Sequence, residues 1–176
     1  MFAKYERACA ACEIVEECCW NSTTPSPRLE IDCRYGYNDA MKDIKHDGRH
    51  HEIQTNMLNA APLDGVDFSE VCSKVKRHLA KNVGKDDCKI GLWTKGGRNR
   101  AVAVAELLFA VISWDQWETG KTGDEEEFEL ELEHTAMINH ELMHKKCPGC
   151  DKSKLGVTTD NFTAAYEVWE NAKFTP

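Results

Sequence analysis

The sequence predicts an α/β domain with a mainly parallel sheet and helices on both faces. Short apolar runs of strand length occur near residues 29–33, 89–93 and 127–133, and longer segments with helical patterning lie between them. Strands that alternate with helices favour a parallel sheet, because a crossover between parallel strands needs a long connection. A hydrophobic content of 41% in 176 residues is enough for one sizeable core.

We expect three parts along the chain. Residues 1–27 form an N-terminal helical, cysteine-rich segment and linker, with a helix from Ala3 to about Cys19. Residues 28–150 form the α/β domain. Residues 151–176 contribute a helix, predicted over 161–172, that packs on the domain.

The first predicted strand alternates Leu29 and Ile31 with charged residues and is followed by Asp32 and Arg34. Ligands of open α/β sheets bind at the carboxyl ends of strands, so this acid and this arginine are candidates for function. On residue types alone, a salt bridge that orders the next loop is the preferred interpretation. A loop rich in His and Arg follows, and two helices are predicted near 52–60 and 67–81.

A strand, a basic glycine turn and an apolar helix succeed one another from residue 88 to 112. Glycines let the backbone approach an anion, and the first N–H groups of a helix favour negative charge. Arginine can bind phosphate oxygens through two parallel bonds. The alternative is an ordinary turn with solvated cations. The predicted phosphate-binding residues are Thr94, Lys95, Gly96, Gly97, Arg98, Asn99 and Arg100.

The third predicted strand alternates Leu130 and Leu132 with glutamates, and His134 follows it. Seven of the ten residues from 124 to 133 are acidic, which indicates a solvated strand face and its preceding loop. Gly120-Lys121-Thr122 resembles the end of a nucleotide-binding P-loop. However, Asp115 occupies the position of the required first glycine, so we reject that motif.

A metal site is predicted in the segment from residue 140 to 150. Histidines four apart share one face of a helix, and Cys-Pro-Gly-Cys is a tight turn that can direct two sulfurs at one ion. A structural zinc ion could also take the two sulfurs together with Cys9 and Cys12, and the remaining alternative is exposed histidines beside a reduced turn. The candidate ligands are His140, His144, Cys147 and Cys150.

Composition limits the class of protein. A net charge of −8 argues against a surface devoted to nucleic acid, although a local basic site remains compatible with it. Nine cysteines is an odd number, and the first twenty residues lack a secretory signal pattern, so we expect reduced thiols in the cytoplasm. No stretch approaches the roughly 20 apolar residues of a membrane-spanning helix.

The segment from Thr94 to Glu106 resembles the RapZ C-terminal domain family, in which Cys-x-Gly-Gly-Lys/Arg-His-Arg-Ser-Val leads into a helix. Thr94, Asn99 and Ala101 replace the usual Cys, His and Ser. The two glycines, both arginines and the helix remain. The resemblance covers residues 29–150, and it favours phosphate binding over chemistry that needs a thiolate or an imidazole.

The resemblance also implies roles for residues elsewhere. Asp32 and Arg34 match an Asp-x-Arg element of the family, His134 matches a late histidine, and Asp47-Gly48-Arg49-His50 matches a glycine-containing segment. Family members are associated with RNA and amino-sugar phosphates. We therefore expect a stand-alone module that binds a sugar phosphate, a nucleotide or an RNA backbone. A phosphoryl-transfer or phosphate-ester hydrolysing enzyme and a degenerate scaffold with structural zinc are the alternatives, and a protein partner is compatible with each.

Overall fold

Four parallel strands form one sheet in the computed structural model of the protein, which describes residues 2–4, 27–34, 46–62, 66–83, 88–94, 99–120, 129–133 and 156–173. The spatial order is β2-β3-β1-β4, and every described pairing is parallel. The predicted α/β class with a parallel sheet is therefore confirmed. The strands are β1 (Phe2–Lys4), β2 (Arg28–Asp32), β3 (Lys89–Trp93) and β4 (Glu131–Glu133).

Helices connect the strands and follow the last of them. They are α1 (His51–Leu58), α2 (Phe68–Lys81), α3 (Arg100–Gly120) and α4 (Thr159–Asn171). Helices α1, α2 and α4 begin and end within two residues of the predicted helices, whereas α3 continues to Gly120, beyond the predicted end at residue 112. The start of α2 has a clear local cause, since the Asp67 carboxylate accepts the Glu70 N–H at 2.9 Å.

The N-terminus departs from the sequence-based expectation. Residues 2–4 form β1, which lies between β3 and β4, whereas Ala3 was expected to begin a helix. Three residues are too few to show a strand period, and pairing with two neighbouring strands decides their conformation. The rest of the predicted helix lies outside the described residues.

One face of the sheet is apolar, and the other carries charged residues together with the exposed Trp93. Leu29 and Ile31 pair in register with Ile90 and Leu92, so their side chains share a face. Ile31, Ile90 and Leu92 are buried in the core. On the opposite face, Glu30 lies over Gly91, where an added Cβ would come within 2.5 Å of its carboxylate.

The described helices belong to the apolar face. The steps from β2 to β3 and from β3 to β4 run in the same direction across the sheet, and right-handed crossovers then place their helices on one side. Buried residues of all four helices share a single core with Ile31, Ile90 and Leu92. Helices on both faces, as predicted, are not found in the part of the chain that the structure describes.

Helix α3 is the centre of this core. Most of its residues from 101 to 112 are buried, which agrees with the predicted apolar helix. Helix α4 packs beside it through Ala165 and Trp169, and the Trp169 indole N–H donates to Asp115 at 3.2 Å. The Trp169–Asp115 bond thus ties α4 to the second half of α3.

Candidate anion-binding site

The carboxyl ends of β2 and β3 meet beside the first turn of α3. The Cys33 N–H donates to the Trp93 carbonyl at 2.8 Å, which extends the pairing of the two strands by one residue. Asp32 and Arg34 therefore lie next to Trp93. Among the predicted phosphate-binding residues, Thr94 is buried just after β3, while Asn99 and Arg100 open α3.

Two arginines converge at this edge. The Arg100 guanidinium donates to the Arg34 carbonyl. This bond connects the start of α3 to the segment that follows β2. The Arg34 guanidinium lies 5.2 Å from the centre of the Trp93 ring, within the range of a cation–π contact. Both guanidinium groups thus lie within the region where the sequence predicts an anion.

Asp32 positions Arg34. Its carboxylate accepts the Arg34 backbone N–H at 3.0 Å and the Nε–H at 2.6 Å, and the Nη2 group is also 2.6 Å away. The side chains of Asp32 and Arg34 are 32% and 59% exposed. The predicted pairing of Asp32 with Arg34 is observed, and it leaves much of the arginine in contact with solvent.

The same motif occurs a second time, in the loop before α1. The Asp47 carboxylate accepts the Arg49 backbone N–H at 2.9 Å and Nε–H at 3.1 Å, with Nη2 at 2.9 Å from its second oxygen. Here the exposed fractions are only 2% for Asp47 and 22% for Arg49. This second pair is therefore part of the interior.

Gly48, between these two residues, lies directly against the first turn of α3. A Cβ at this position would lie 2.1 Å from the Asn99 carbonyl oxygen and 2.3 Å from the Ala103 nitrogen. Those two atoms themselves form a hydrogen bond of the helix, at 2.9 Å. Only glycine fits such a close approach of two backbones. A glycine in a loop rich in His and Arg was the sequence signal for this contact.

A polar network ties the same loop to α1 and α4. The Gln54 amide donates to the Gly48 and Arg49 carbonyls at 3.4 and 3.3 Å, and it accepts from Asn161 at 3.3 Å. Asn161 also donates to the His51 carbonyl at 3.0 Å. Because Gln54 and Asn161 are buried, these bonds satisfy groups that would otherwise lack a partner.

A cluster of imidazoles joins this loop to the start of α1. The rings of His46 and His50 are stacked 3.9 Å apart, and the His51 ring lies 4.4 Å from that of His50. Burial lowers the pKa of His50, and the neighbouring His46 and His51 lower it further. Donor atoms of His46, His50 and Glu52 lie within 4.8 Å of one another, so the group could hold a metal ion.

Cys33 faces the core beneath the candidate site. Burial raises the pKa of its thiol far above the ordinary value, and Asp32 raises it further, while Arg100 acts in the opposite direction. A thiol that stays protonated is a poor nucleophile. Cys33 is thus a packing residue.

Several predicted residues lie outside the described part of the chain. They are Lys95, Gly96, Gly97, Arg98, His134, His140, His144, Cys147 and Cys150. For these residues the phosphate, crevice and zinc assignments stay predictions.

No family model, curated protein or solved structure matches the chain. The resemblance to the RapZ C-terminal domain family therefore stays a prediction. Within the described residues, none of the helices is both long enough and apolar enough to cross a membrane.

Proposed function

We propose that the protein is a binding module for a phosphorylated ligand, seated at the carboxyl edge of its sheet. The observation that carries this proposal is the convergence of Arg34 and Arg100 at the first turn of α3. A helix N-terminus favours negative charge, and two guanidinium groups supply donors suited to phosphate oxygens. Gly96, Gly97, Lys95 and Arg98 complete the proposed site on the basis of sequence.

The pairing of Asp32 supports a binding role over an enzymatic one. A general base needs a free lone pair directed at its substrate. Each oxygen of the Asp32 carboxylate instead accepts an N–H group of Arg34, so the side chain is directed at the arginine. Its role in this proposal is to orient the arginine toward the ligand.

Two further parts of the proposal rest on sequence alone. A structural zinc ion held by His140, His144, Cys147 and Cys150 would stabilise the segment after β4. A cytoplasmic location agrees with the odd number of cysteines. Neither part is needed for the phosphate site.

A thermal-shift titration with phosphate, a sugar phosphate, nucleotides and a short RNA tests the site. A ligand at 100 times its Kd stabilises the native state by about 2.7 kcal/mol. We expect this stabilisation in the wild type and its loss in Arg34→Gln and Arg100→Gln. Arg77→Gln is the matched control, because Arg77 is an exposed arginine on α2.

The outcomes separate the hypotheses. Stabilisation by one ligand class, lost in both variants and kept in the control, identifies the class. Equal stabilisation in all four proteins would contradict the proposed site. If no ligand stabilises the wild type, the degenerate scaffold becomes the better interpretation.

A further inference from the structure

We propose that His46, His50 and Glu52 form a binding site for a divalent transition-metal ion of the Zn²⁺ type. This site is separate from the predicted zinc ligands at residues 140–150 and does not depend on phosphate binding. It combines two imidazole nitrogens and one carboxylate oxygen from a seven-residue stretch at the start of α1.

The donor set selects the class of ion. Imidazole nitrogen suits Zn²⁺ and its neighbours in the first transition series, whereas Ca²⁺ and Mg²⁺ prefer sites made of oxygen ligands. Two histidines and one glutamate are also a known zinc ligand set, in which the fourth position is left for water or an added ligand. All three donor atoms already lie within 4.8 Å of one another.

The surroundings restrict the freedom of the donors. His50 is 4% exposed, and its ring is stacked between those of His46 and His51. The loop that carries His46 and His50 is fixed by the Asp47–Arg49 pair and by Gly48 against α3. His46 is half-buried and Glu52 is exposed, so an ion would enter from the Glu52 side. Little conformational freedom needs to be lost on binding, which favours affinity.

Metal binding changes the cap of α1. The His50 Nδ1 accepts the Glu52 N–H at 3.3 Å, so the neutral ring carries its proton on Nε2. Coordination through Nε2 requires this proton to move to Nδ1, and coordination through Nδ1 occupies the accepting lone pair. Either way the ion replaces this long cap bond, and the N–H of Glu52 should become less protected from hydrogen exchange.

The test uses the full chain, freed of metal and titrated with Zn²⁺ in a chelator-buffered series. Glu52→Gln removes a charged ligand without shortening the side chain. Its matched control is Glu70→Gln, which changes a first-turn glutamate of α2. His50→Asn removes a ligand but retains a side chain that can cap a helix, and its control is His78→Asn, which changes a histidine on α2 outside the cluster.

We expect Glu52→Gln and His50→Asn to weaken Zn²⁺ binding by about tenfold or more, since loss of even an outer-shell partner costs that much. Both controls should bind as the wild type does. The absorption spectrum of the Co²⁺ complex offers a second readout. Because His and Glu supply no sulfur ligand, we expect this spectrum to lack a thiolate-to-metal charge-transfer band.

The proposal fails if Zn²⁺ affinity is the same in Glu52→Gln, His50→Asn and the wild type. It also fails if all Zn²⁺ binding disappears in the Cys147→Ser/Cys150→Ser variant, because the ion would then require the cysteines. Retention of one Zn²⁺ per chain in that variant, with loss on adding Glu52→Gln, would support it. These readouts are independent of the phosphate titration.

Discussion

The two Asp-x-Arg pairs show how one local motif serves two purposes. In both, the carboxylate accepts the backbone N–H and the Nε–H of the arginine two residues later. The Asp32–Arg34 pair lies at an exposed strand end, whereas the Asp47–Arg49 pair is largely buried. Exposure thus separates a cation that can meet a ligand from one that fixes a loop.

The largest expected effect concerns the middle residue of each pair. Gly48→Ala should lower the free energy of unfolding by about 3 kcal/mol. The added methyl group would overlap the Asn99 carbonyl oxygen and the Ala103 nitrogen, which a hydrogen bond of α3 holds together. Cys33→Ala removes one buried sulfur and should cost only about 1 kcal/mol. Urea denaturation of both variants measures the difference. Similar losses would mean that the loop can move away from α3 at little cost.

The aspartates provide the next comparison. Asp47→Ala leaves the partly buried Arg49 without its carboxylate partner and should cost about 2–3 kcal/mol, near the lower end for a broken buried pair. Asp32→Ala breaks an exposed pair and should cost about 0.5 kcal/mol. Equal effects in urea denaturation would contradict the distinction between an interior pair and a solvent-exposed one.

A smaller effect concerns the dependence of stability on pH. The pKa of His50 in the folded protein is lower than its ordinary value of 6.5, so the unfolded chain binds this proton more readily. The His50 contribution is complete above about pH 6.5 and is lost as the pH falls toward the folded pKa. His50→Asn should therefore flatten the loss of stability between pH 7 and pH 5, measured by urea denaturation in chelator-containing buffer.

The slope should not vanish in this variant. Burial also lowers the pKa of His78 on α2, which contributes with the same sign. If the free energy of unfolding of His50→Asn falls as steeply with pH as that of the wild type, burial does not lower the pKa of His50 in the folded protein.

The sequence by itself determined the alternation of strands and helices, and with it the α/β class. Apolar periodicity located β2, β3 and α3, and Asp67 located the start of α2, because these signals act between residues close in the chain. It also placed Asp32, Arg34 and Arg100 at strand and helix ends. Those positions follow from element boundaries and need no knowledge of distant contacts.

Tertiary structure alone decided the rest. Three residues became β1 because two strands distant in sequence pair with them. The two Asp-x-Arg motifs form the same local hydrogen bonds, and the packing of Gly48 against α3 makes one of them interior. His46, His50 and Glu52 lie within one seven-residue stretch, and the packing of Gly48 against α3 fixes the loop conformation that brings their donor atoms together. Burial and convergence depend on contacts between distant parts of the chain, and residue spacing does not encode them.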